Sequence, residues 1–172
     1  IDGLLGTLVR LFIGPGDPVV TSAGAYPTFN YHVAGFGGVL HTVPYRDDHE
    51  DPEALLAKAA DVGAKLIYLA NPDNPMGSWY DAARMEAVVA AVPKGSLLVL
   101  DEAYTEYVEH PAFPDGIQWL GEFPNLIVTR TFSKIFGLAG LRVGYGIANP
   151  ELTAVIARVR HPFNVNSIAL AA

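Results

Sequence analysis

The sequence contains no cysteine, which excludes disulfide bonds, thiolate metal sites and a cysteine nucleophile. Positive charge is also scarce, because 11 Lys and Arg residues stand against 18 Asp and Glu residues, a formal net charge of −7. An acidic chain is a poor general binder of nucleic acid, since affinity for the phosphate backbone depends on an excess of cations. We therefore expect no nucleic-acid partner.

Long apolar runs are missing as well. The longest stretch without Asp, Glu, Lys or Arg covers residues 18–45, and proline, glycine, asparagine and histidine interrupt it. Such a stretch is not a membrane span. The first residues carry neither a basic start nor a cleavable apolar segment typical of a signal peptide. These features predict a cytoplasmic protein with no membrane partner.

The residues that are present can build a sizeable core, because 51% of the chain is apolar and 17% is charged. Short apolar strands alternate with segments of helical periodicity. This alternation predicts an α/β fold of one domain, a mostly parallel sheet with helices on both faces in three α/β/α layers. The predicted strands are 19–22, 39–43, 65–70, 97–100, 126–129 and 141–147, and the predicted helices are 1–12, 28–35, 52–60, 82–92, one opening at Pro150 and a run at 167–172.

Both ends of the sequence suggest a piece of a longer protein. The first helical pattern begins on an apolar residue, Ile1, with no capping residue before it. The run at 167–172 stops without the glycine, asparagine or basic residue that commonly closes a helix. We therefore expect some binding residues to lie outside the printed sequence.

Ligands of an open parallel sheet bind beyond the carboxyl ends of its strands. Three polar segments follow apolar runs, at 71–77, 101–104 and 131–134, and we expect them to share one edge of the sheet. Lys134 is a candidate for a Schiff base with a carbonyl cofactor, because burial would disfavour its ammonium form. Asp101 ends an apolar strand and is a candidate partner for a protonated pyridine nitrogen.

The other candidates are hydrogen-bond donors and one aromatic ring. Asn74, beside two prolines, and Tyr104 could donate to one acceptor, and Phe29 could lie against a flat ring. Taken singly, each residue has an ordinary explanation as a turn, core or surface residue. Together they suit an aldehyde-bearing pyridine with a phenolic oxygen and a phosphate, the phosphate being a ligand for Thr131, Ser133 and Arg142.

These segments resemble a known family. Asn-Pro-Asp-Asn-Pro-Met-Gly at 71–77, Asp-Glu-Ala-Tyr at 101–104 and the run at 130–145 resemble fold-type I pyridoxal-phosphate aminotransferases. Within that group, Phe-Gly-Leu-Ala-Gly-Leu-Arg at 136–142 is most similar to the histidinol-phosphate aminotransferases. The resemblance implies that residues 1–172 are most of the cofactor-binding large domain, with a glycine-rich phosphate loop before them and a small domain after them.

The resemblance also implies a role for each candidate. Two positions depart from the family pattern, since Met76 stands where threonine is usual and Ile135 adds bulk after the lysine. The resemblance implies that Lys134 bonds to the aldehyde and transfers the proton, and that Asp101 pairs with the pyridine nitrogen. It implies that Asn74 and Tyr104 donate to the phenolic oxygen and that Phe29 stacks on the ring. The residues implied to bind the phosphate are Thr131, Ser133 and Arg142.

The implied activity is amino transfer with pyridoxal 5′-phosphate, from an amino acid donor to a 2-oxo or phospho-ketone acceptor. Histidinol phosphate and 2-oxoglutarate, reacting in histidine biosynthesis, are the leading substrates, and a homodimer is expected at full length. An aromatic or broad-specificity aminotransferase, a threonine-phosphate decarboxylase and a non-catalytic aminotransferase-like binding domain stay open. Dinucleotide, Walker and hydrolase motifs are absent, and the five histidines lack metal-ligand spacing, so no metal is expected.

Overall fold

The computed structural model describes residues 1–171, and Ala172, the end of the last predicted helical run, lies outside them. Six strands form one sheet, in the order β2-β1-β3-β4-β5-β6 when numbered along the chain. The first five run parallel and the last pairs antiparallel with β5. The strands are β1 (Pro18–Ser22), β2 (Val39–Val43), β3 (Leu66–Ala70), β4 (Leu97–Asp101), β5 (Leu126–Thr131) and β6 (Gly144–Ala148).

Six α-helices connect or flank these strands. Side-chain caps set where several of them begin, as Asp81 does by accepting a hydrogen bond of 2.8 Å from Arg84 N. The fourth helix ends two residues before the predicted Val92. The helices are α1 (Asp2–Phe12), α2 (Thr28–Gly35), α3 (Pro52–Val62), α4 (Ala82–Ala90), α5 (Pro150–Val159) and α6 (Ser167–Ala171).

The helices cover both faces of the sheet, as the alternation predicts. Side chains of Ile67 and Leu69 in β3 pack in the core with α3 and α4. Those of Leu66 and Tyr68 pack on the opposite face with α1 and α2, and α5 joins that face through Leu152 and Ile156. The predicted three-layer α/β fold is therefore confirmed, with β3 buried on both faces.

The sixth strand differs from the prediction, which began it at 141. A short 3₁₀ helix covers Ala139–Leu141, and Arg142 takes a left-handed backbone conformation with φ 56°. The chain therefore reverses before the strand starts at Gly144, and β6 runs antiparallel. This reversal brings Arg142 beside the end of β5.

The parallel strands all end at one edge of the sheet. The chain places β2 on one side of β1 and then crosses to β3 on the other side. Ligands of open α/β sheets bind at such a reversal of strand order. Within residues 1–171, no helix has the length and apolar character required to cross a membrane.

Replacing Leu98 by alanine tests the packing of the core between the sheet and α4. Leu98 is 1% exposed, and a cavity left by its side chain should lower the free energy of unfolding by about 2–5 kcal/mol. Chemical denaturation measures the loss. The matched control is Leu170→Ala, because Leu170 is 75% exposed and its change should stay within about 0.5 kcal/mol. Equal effects of the two substitutions would contradict the assignment of the core.

Candidate active site

A cavity of about 200 Å³ lies at the carboxyl edge of the sheet. The three polar segments that follow β3, β4 and β5 meet there, as the sequence predicts. Among residues 1–171, no group of three or more His, Asp or Glu side chains is placed to hold a metal ion. Of the predicted site residues, those that line the cavity are Asn74, Asp101, Tyr104, Thr131, Ser133, Lys134 and Arg142.

Asp101 places a buried carboxyl group on the cavity wall and is only 5% exposed. Its Oδ2 accepts a 2.6 Å hydrogen bond from the Tyr68 hydroxyl, and its Oδ1 accepts a 3.0 Å bond from Ala103 N. Burial raises the pKa of Asp101, while these two neutral donors act in the opposite direction. A carboxylate held in this way would be stabilised by a cationic N–H group in the cavity.

Lys134 lies in the loop after β5 and shares the cavity wall with Asp101. Its side chain is exposed, so the burial considered from the sequence is not observed among the described residues. The Nζ atom lies 5.0 Å from the centroid of the Tyr104 ring, a cation–π contact. Tyr104 therefore holds the amine at the cavity without removing it from water.

Asn74 and Tyr104 come from neighbouring loops and face the same space. Both also line an adjoining open hollow of about 660 Å³. The loop of Asn74 is closed by the bond from Asp73 N to Ser78 O, 2.9 Å, and by that from Gly77 N to Asp73 O, 3.1 Å. Two neutral side chains that can donate hydrogen bonds thus line the same cavity.

Thr131, Ser133 and Arg142 form the third part of the cavity wall. The Thr131 hydroxyl donates to Val143 O at 3.3 Å and accepts from Ser133 N at 3.1 Å, so it has structural partners already. Arg142 donates one bond of 3.0 Å to Ala139 O. A guanidinium carries five N–H donors, so others are left for an anion.

Phe29 is the predicted site residue that the structure places elsewhere. It is fully buried in the first turn of α2, and its ring stacks on Tyr68 with centroids 5.0 Å apart. The expectation that Phe29 lies at the cavity wall is therefore not met. Tyr26, from the turn before α2, lines the cavity instead.

A model of the family described as aminotransferase class I and II matches residues 1–172. The chain belongs to this family.

Several relatives of this aminotransferase chain carry a more specific name. The chain is 45% identical over 169 residues to histidinol-phosphate aminotransferase 1 of Nitrosococcus oceani, and the match covers 98% of this chain and 45% of the relative. It is 46% identical over 170 residues to the histidinol-phosphate aminotransferase of an Anaeromyxobacter species, with 98% and 46% covered. The chain therefore spans about half the length of the curated relatives it matches.

A solved structure that is similar to this chain carries the same name as these relatives. The histidinol-phosphate aminotransferase of Sinorhizobium meliloti in complex with pyridoxal-5′-phosphate is 54% identical, with a TM-score of 0.94 over 99% of this chain and 46% of that one. A threonine-phosphate decarboxylase of Porphyromonas gingivalis has a TM-score of 0.82, covering 98% of this chain and 51% of that one, at 20% identity, which shows a shared fold alone.

Tyr26 and Tyr68 line the cavity of this aminotransferase and were missed by the sequence reasoning. The sequence did contain an indication for Tyr68, because it is the one residue of the apolar strand β3 with a hydroxyl group. A buried tyrosine hydroxyl needs a hydrogen-bond partner. The periodicity of β3 could not identify that partner as Asp101, which belongs to another strand.

The two departures from the family pattern point outward. Met76 and Ile135 are each 46% exposed. Neither is among the residues that line the cavity, although Ile135 directly follows Lys134. The bulk that Ile135 adds after the lysine therefore lies at the surface rather than on the cavity wall.

An ion pair fixes the strand end that carries Asp101. Glu102, 1% exposed on its side chain, accepts bonds of 2.6 and 2.9 Å from Arg130, which also reaches Asp115 at 2.6 Å. Glu102 additionally accepts from Gly116 N at 2.8 Å, and a Cβ on Gly116 would lie 2.5 Å from its Oε1. Burial raises the pKa of Glu102, and Arg130 opposes that rise.

Replacing Arg130 by methionine should leave Glu102 buried without its cation and destabilise the fold by about 3–5 kcal/mol. The pKa of Glu102 would then rise further above its unfolded value, so the loss should be smaller near pH 4 than at pH 7. Urea unfolding at both pH values measures this loss in the free energy of unfolding. The control is Arg84→Met, whose partner Glu53 is exposed, with an expected cost of about 0–1 kcal/mol. A loss independent of pH would count against the pairing.

Proposed function

We propose that this chain is most of the large domain of a pyridoxal-phosphate-dependent aminotransferase of the histidinol-phosphate type. The full-length protein would convert histidinol phosphate and 2-oxoglutarate to imidazole-acetol phosphate and glutamate. One observation carries the proposal, namely that a single cavity joins the amine of Lys134, the buried carboxyl of Asp101 and the guanidinium of Arg142. The names of the relatives at 45–46% identity support the choice of substrate.

The residues at the cavity fit the cofactor by the chemistry of their donors. Asp101, whose described hydrogen-bond partners are neutral, would pair with the protonated pyridine nitrogen. Asn74 and Tyr104 would donate to the phenolic oxygen, and Lys134 would bond to the aldehyde carbon. The phosphate would be held by Ser133 and Arg142, with the Thr131 hydroxyl exchanging its bond to Val143 O for a phosphate oxygen. Tyr26, rather than Phe29, is the aromatic residue that this structure offers to the ring.

Pyridoxal phosphate supplies an electron sink that stabilises negative charge at the substrate α-carbon. The residues of this chain would orient the cofactor and move the proton. Asp101 would hold a proton on the ring nitrogen, and the Tyr68 hydroxyl orients the Asp101 carboxyl group through its 2.6 Å bond. The amine of Lys134 would take the proton from the substrate α-carbon, and a positioned general base of this kind contributes roughly 10²–10⁴-fold to a rate.

The competing functions differ in what they require of the site. A non-catalytic binding domain has no need for an amine and a buried carboxyl in one cavity, and this favours an enzyme. An aromatic or broad-specificity aminotransferase would share all of these residues. The likeness to the threonine-phosphate decarboxylase supports the fold alone. Comparing histidinol phosphate, phenylalanine and threonine phosphate as substrates of the full-length protein separates the three enzymes.

We further propose that the full-length protein is a cytoplasmic homodimer. The support is an apolar surface beside the cavity, where Ile135, Phe136 and Leu138 are 46%, 50% and 37% exposed. A surface of this kind is typical of a contact with another chain. Sedimentation equilibrium of the full-length protein tests the dimer.

The lysine assignment can be tested on this chain alone. Pyridoxal phosphate should produce a visible absorption band that borohydride bleaches, and the reduced adduct should map to Lys134 by peptide mass. Binding should be weak, because the family resemblance places part of the phosphate site before Ile1. Lys134→Ala should abolish the band, whereas Lys94→Ala, at an exposed turn, should keep it. A bleachable band that survives in Lys134→Ala would overturn the role given to this residue.

The full-length enzyme provides the test of activity. Lys134→Ala should lower kcat for histidinol phosphate by at least about 10²-fold, since the general base is lost. Phenylalanine and threonine phosphate should be poorer substrates of the unchanged enzyme by kcat/KM. Turnover close to that of the unchanged enzyme in Lys134→Ala would refute the mechanism, and preference for another substrate would refute the specificity.

A further inference from the structure

The loop 71–77, which carries Asn74 to the cavity wall, is supported by contacts from outside the cavity. Asp73 closes the loop from within, because its Oδ2 accepts a 3.0 Å hydrogen bond from Met76 N and its backbone O accepts a 3.1 Å bond from Gly77 N. Asp73 is itself buried, at 4% exposure. The direction of Asn74 therefore depends on where Asp73 is held.

Tyr45 holds Asp73 from the edge of the sheet. It lies two residues after the edge strand β2, and its hydroxyl donates a 2.9 Å bond to Asp73 Oδ1. In the sheet, β1 lies between β2 and β3, so the side chain of Tyr45 passes the end of β1 to reach the loop after β3. The bond between Tyr45 and Asp73 thus connects the ends of two strands that are not neighbours.

The ring of Tyr45 passes β1 at Gly24, two residues after that strand ends. A Cβ atom on Gly24 would lie 2.8 Å from Cε2 of Tyr45, which is too short for a real contact. Glycine therefore leaves the room that the ring requires. Gly24 belongs to the turn between β1 and α2, and Tyr26 of the same turn lines the cavity. Tyr45 thus contacts two of the segments that bring side chains to the cavity.

A tight turn fixes Tyr45 relative to the chain that follows it. Arg46 and His49 pair through two backbone bonds of 2.9 and 3.0 Å. The two residues between them, 47–48, have φ angles of 51° and 61°, and a type I′ turn requires positive φ at both central positions. Tyr45 and Glu50 therefore stand on the two sides of one short, closed turn.

Glu50 anchors the chain on both sides of the same loop. Its Oε1 accepts a 2.9 Å bond from Ala70 N, directly before the loop, and its Oε2 accepts a bond from the Ser22 hydroxyl at the end of β1. The Tyr80 hydroxyl, shortly after the loop, donates a 2.7 Å bond to the backbone O of Glu50. The loop is thus held at its two ends by Glu50 and in its middle by Tyr45.

We propose that Tyr45 is a positioning residue of the candidate site, which sets the direction of Asn74 through its bond to Asp73. Tyr45 is not among the residues that line the cavity, so it acts through the loop and not by touching the cofactor. Its hydroxyl reaches Asp73, and its ring passes Gly24. The effect on cofactor binding rests on the proposed function, whereas the hold of Tyr45 on the loop does not.

Tyr45→Phe tests the hold on the loop, because it removes the hydroxyl and keeps the ring. In the cofactor-free full-length protein, hydrogen exchange at the amides of Met76 and Gly77 should become about 2–10-fold faster, the equivalent of one lost hydrogen bond. Mass spectrometry of peptides covering 73–78 measures the rate. The matched control is Tyr31→Phe, which should leave the rate unchanged because Tyr31 is 70% exposed in α2. Unchanged exchange in Tyr45→Phe overturns the proposal.

Gly24→Ala tests the same contact from the other side and serves if Tyr45→Phe does not fold. The φ angle of Gly24 lies outside the left-handed region, so alanine suits its backbone, and the new Cβ would force the Tyr45 ring to move. Exchange in the loop should become faster, as in Tyr45→Phe. The control is Gly121→Ala, because a Cβ there would meet nothing within 4 Å. Equal exchange in the two alanine variants would count against the proposal.

The effect on the site is tested by combining Tyr45→Phe with Asn74→Ala in the full-length protein. Alone, Tyr45→Phe should raise Kd for pyridoxal phosphate by about 2–10-fold, as the loss of one hydrogen bond would. In a protein that already carries Asn74→Ala, the same change should alter Kd by less than about 2-fold, because Tyr45 acts through Asn74. A role in overall stability alone would give equal factors in both backgrounds, and equal factors would therefore overturn the positioning role.

These measurements separate the proposal from the proposed function. A bleachable band at Lys134 and weaker binding in Asn74→Ala, with no change in Tyr45→Phe, would overturn the positioning role and leave the proposed function intact. If no cofactor binds at Lys134, the proposed function fails. The exchange measurement needs no cofactor, so it still decides whether Tyr45 holds the loop.

Discussion

The parallel register of β3, β4 and β5 is the constraint on which the candidate site depends. It pairs Ala70 with Asp101 and Asp101 with Thr129, so that β3 and β4 end side by side and β5 runs two residues further, to Thr131. Side chains alternate between the faces of a sheet, and a slip of one residue would turn Asp101 away from Tyr68. The ion pair of Glu102 with Arg130 links the ends of β4 and β5 and opposes such a slip.

Buried carboxyl groups near this edge are stabilised in three different ways. Glu102 has a cation, Arg130, and is part of the scaffold. Asp101 has two neutral donors and an open cavity, which leaves its charge available to a ligand. Glu50 has two neutral donors, the Ser22 hydroxyl and Ala70 N, and burial raises its pKa. Because burial penalises charge in every case, the partner decides whether an acid is structural, ligand-binding or neutral.

Much of the fold follows from local patterns. The apolar runs that form β3 and β4 are buried along their whole length, and Asp51 and Asp81 cap helices where the sequence indicates. The errors lie at boundaries such as 141–144, where a left-handed residue and a 3₁₀ turn depend on the return of the chain along β5. Local periodicity does not report contacts of that kind.

By itself, the sequence determined which chemical groups follow the strands, and the parallel sheet guarantees that such groups share one edge. Lys134, Asp101 and Asn74 could therefore be assigned to one edge of the sheet from the sequence, and all three line the cavity there. Tertiary structure alone decided that Phe29 is buried on Tyr68, that Lys134 is exposed and that Glu50 bonds to the ends of β1 and β3. The physical reason is that periodicity specifies the face of an element, whereas contacts between elements depend on how whole layers pack.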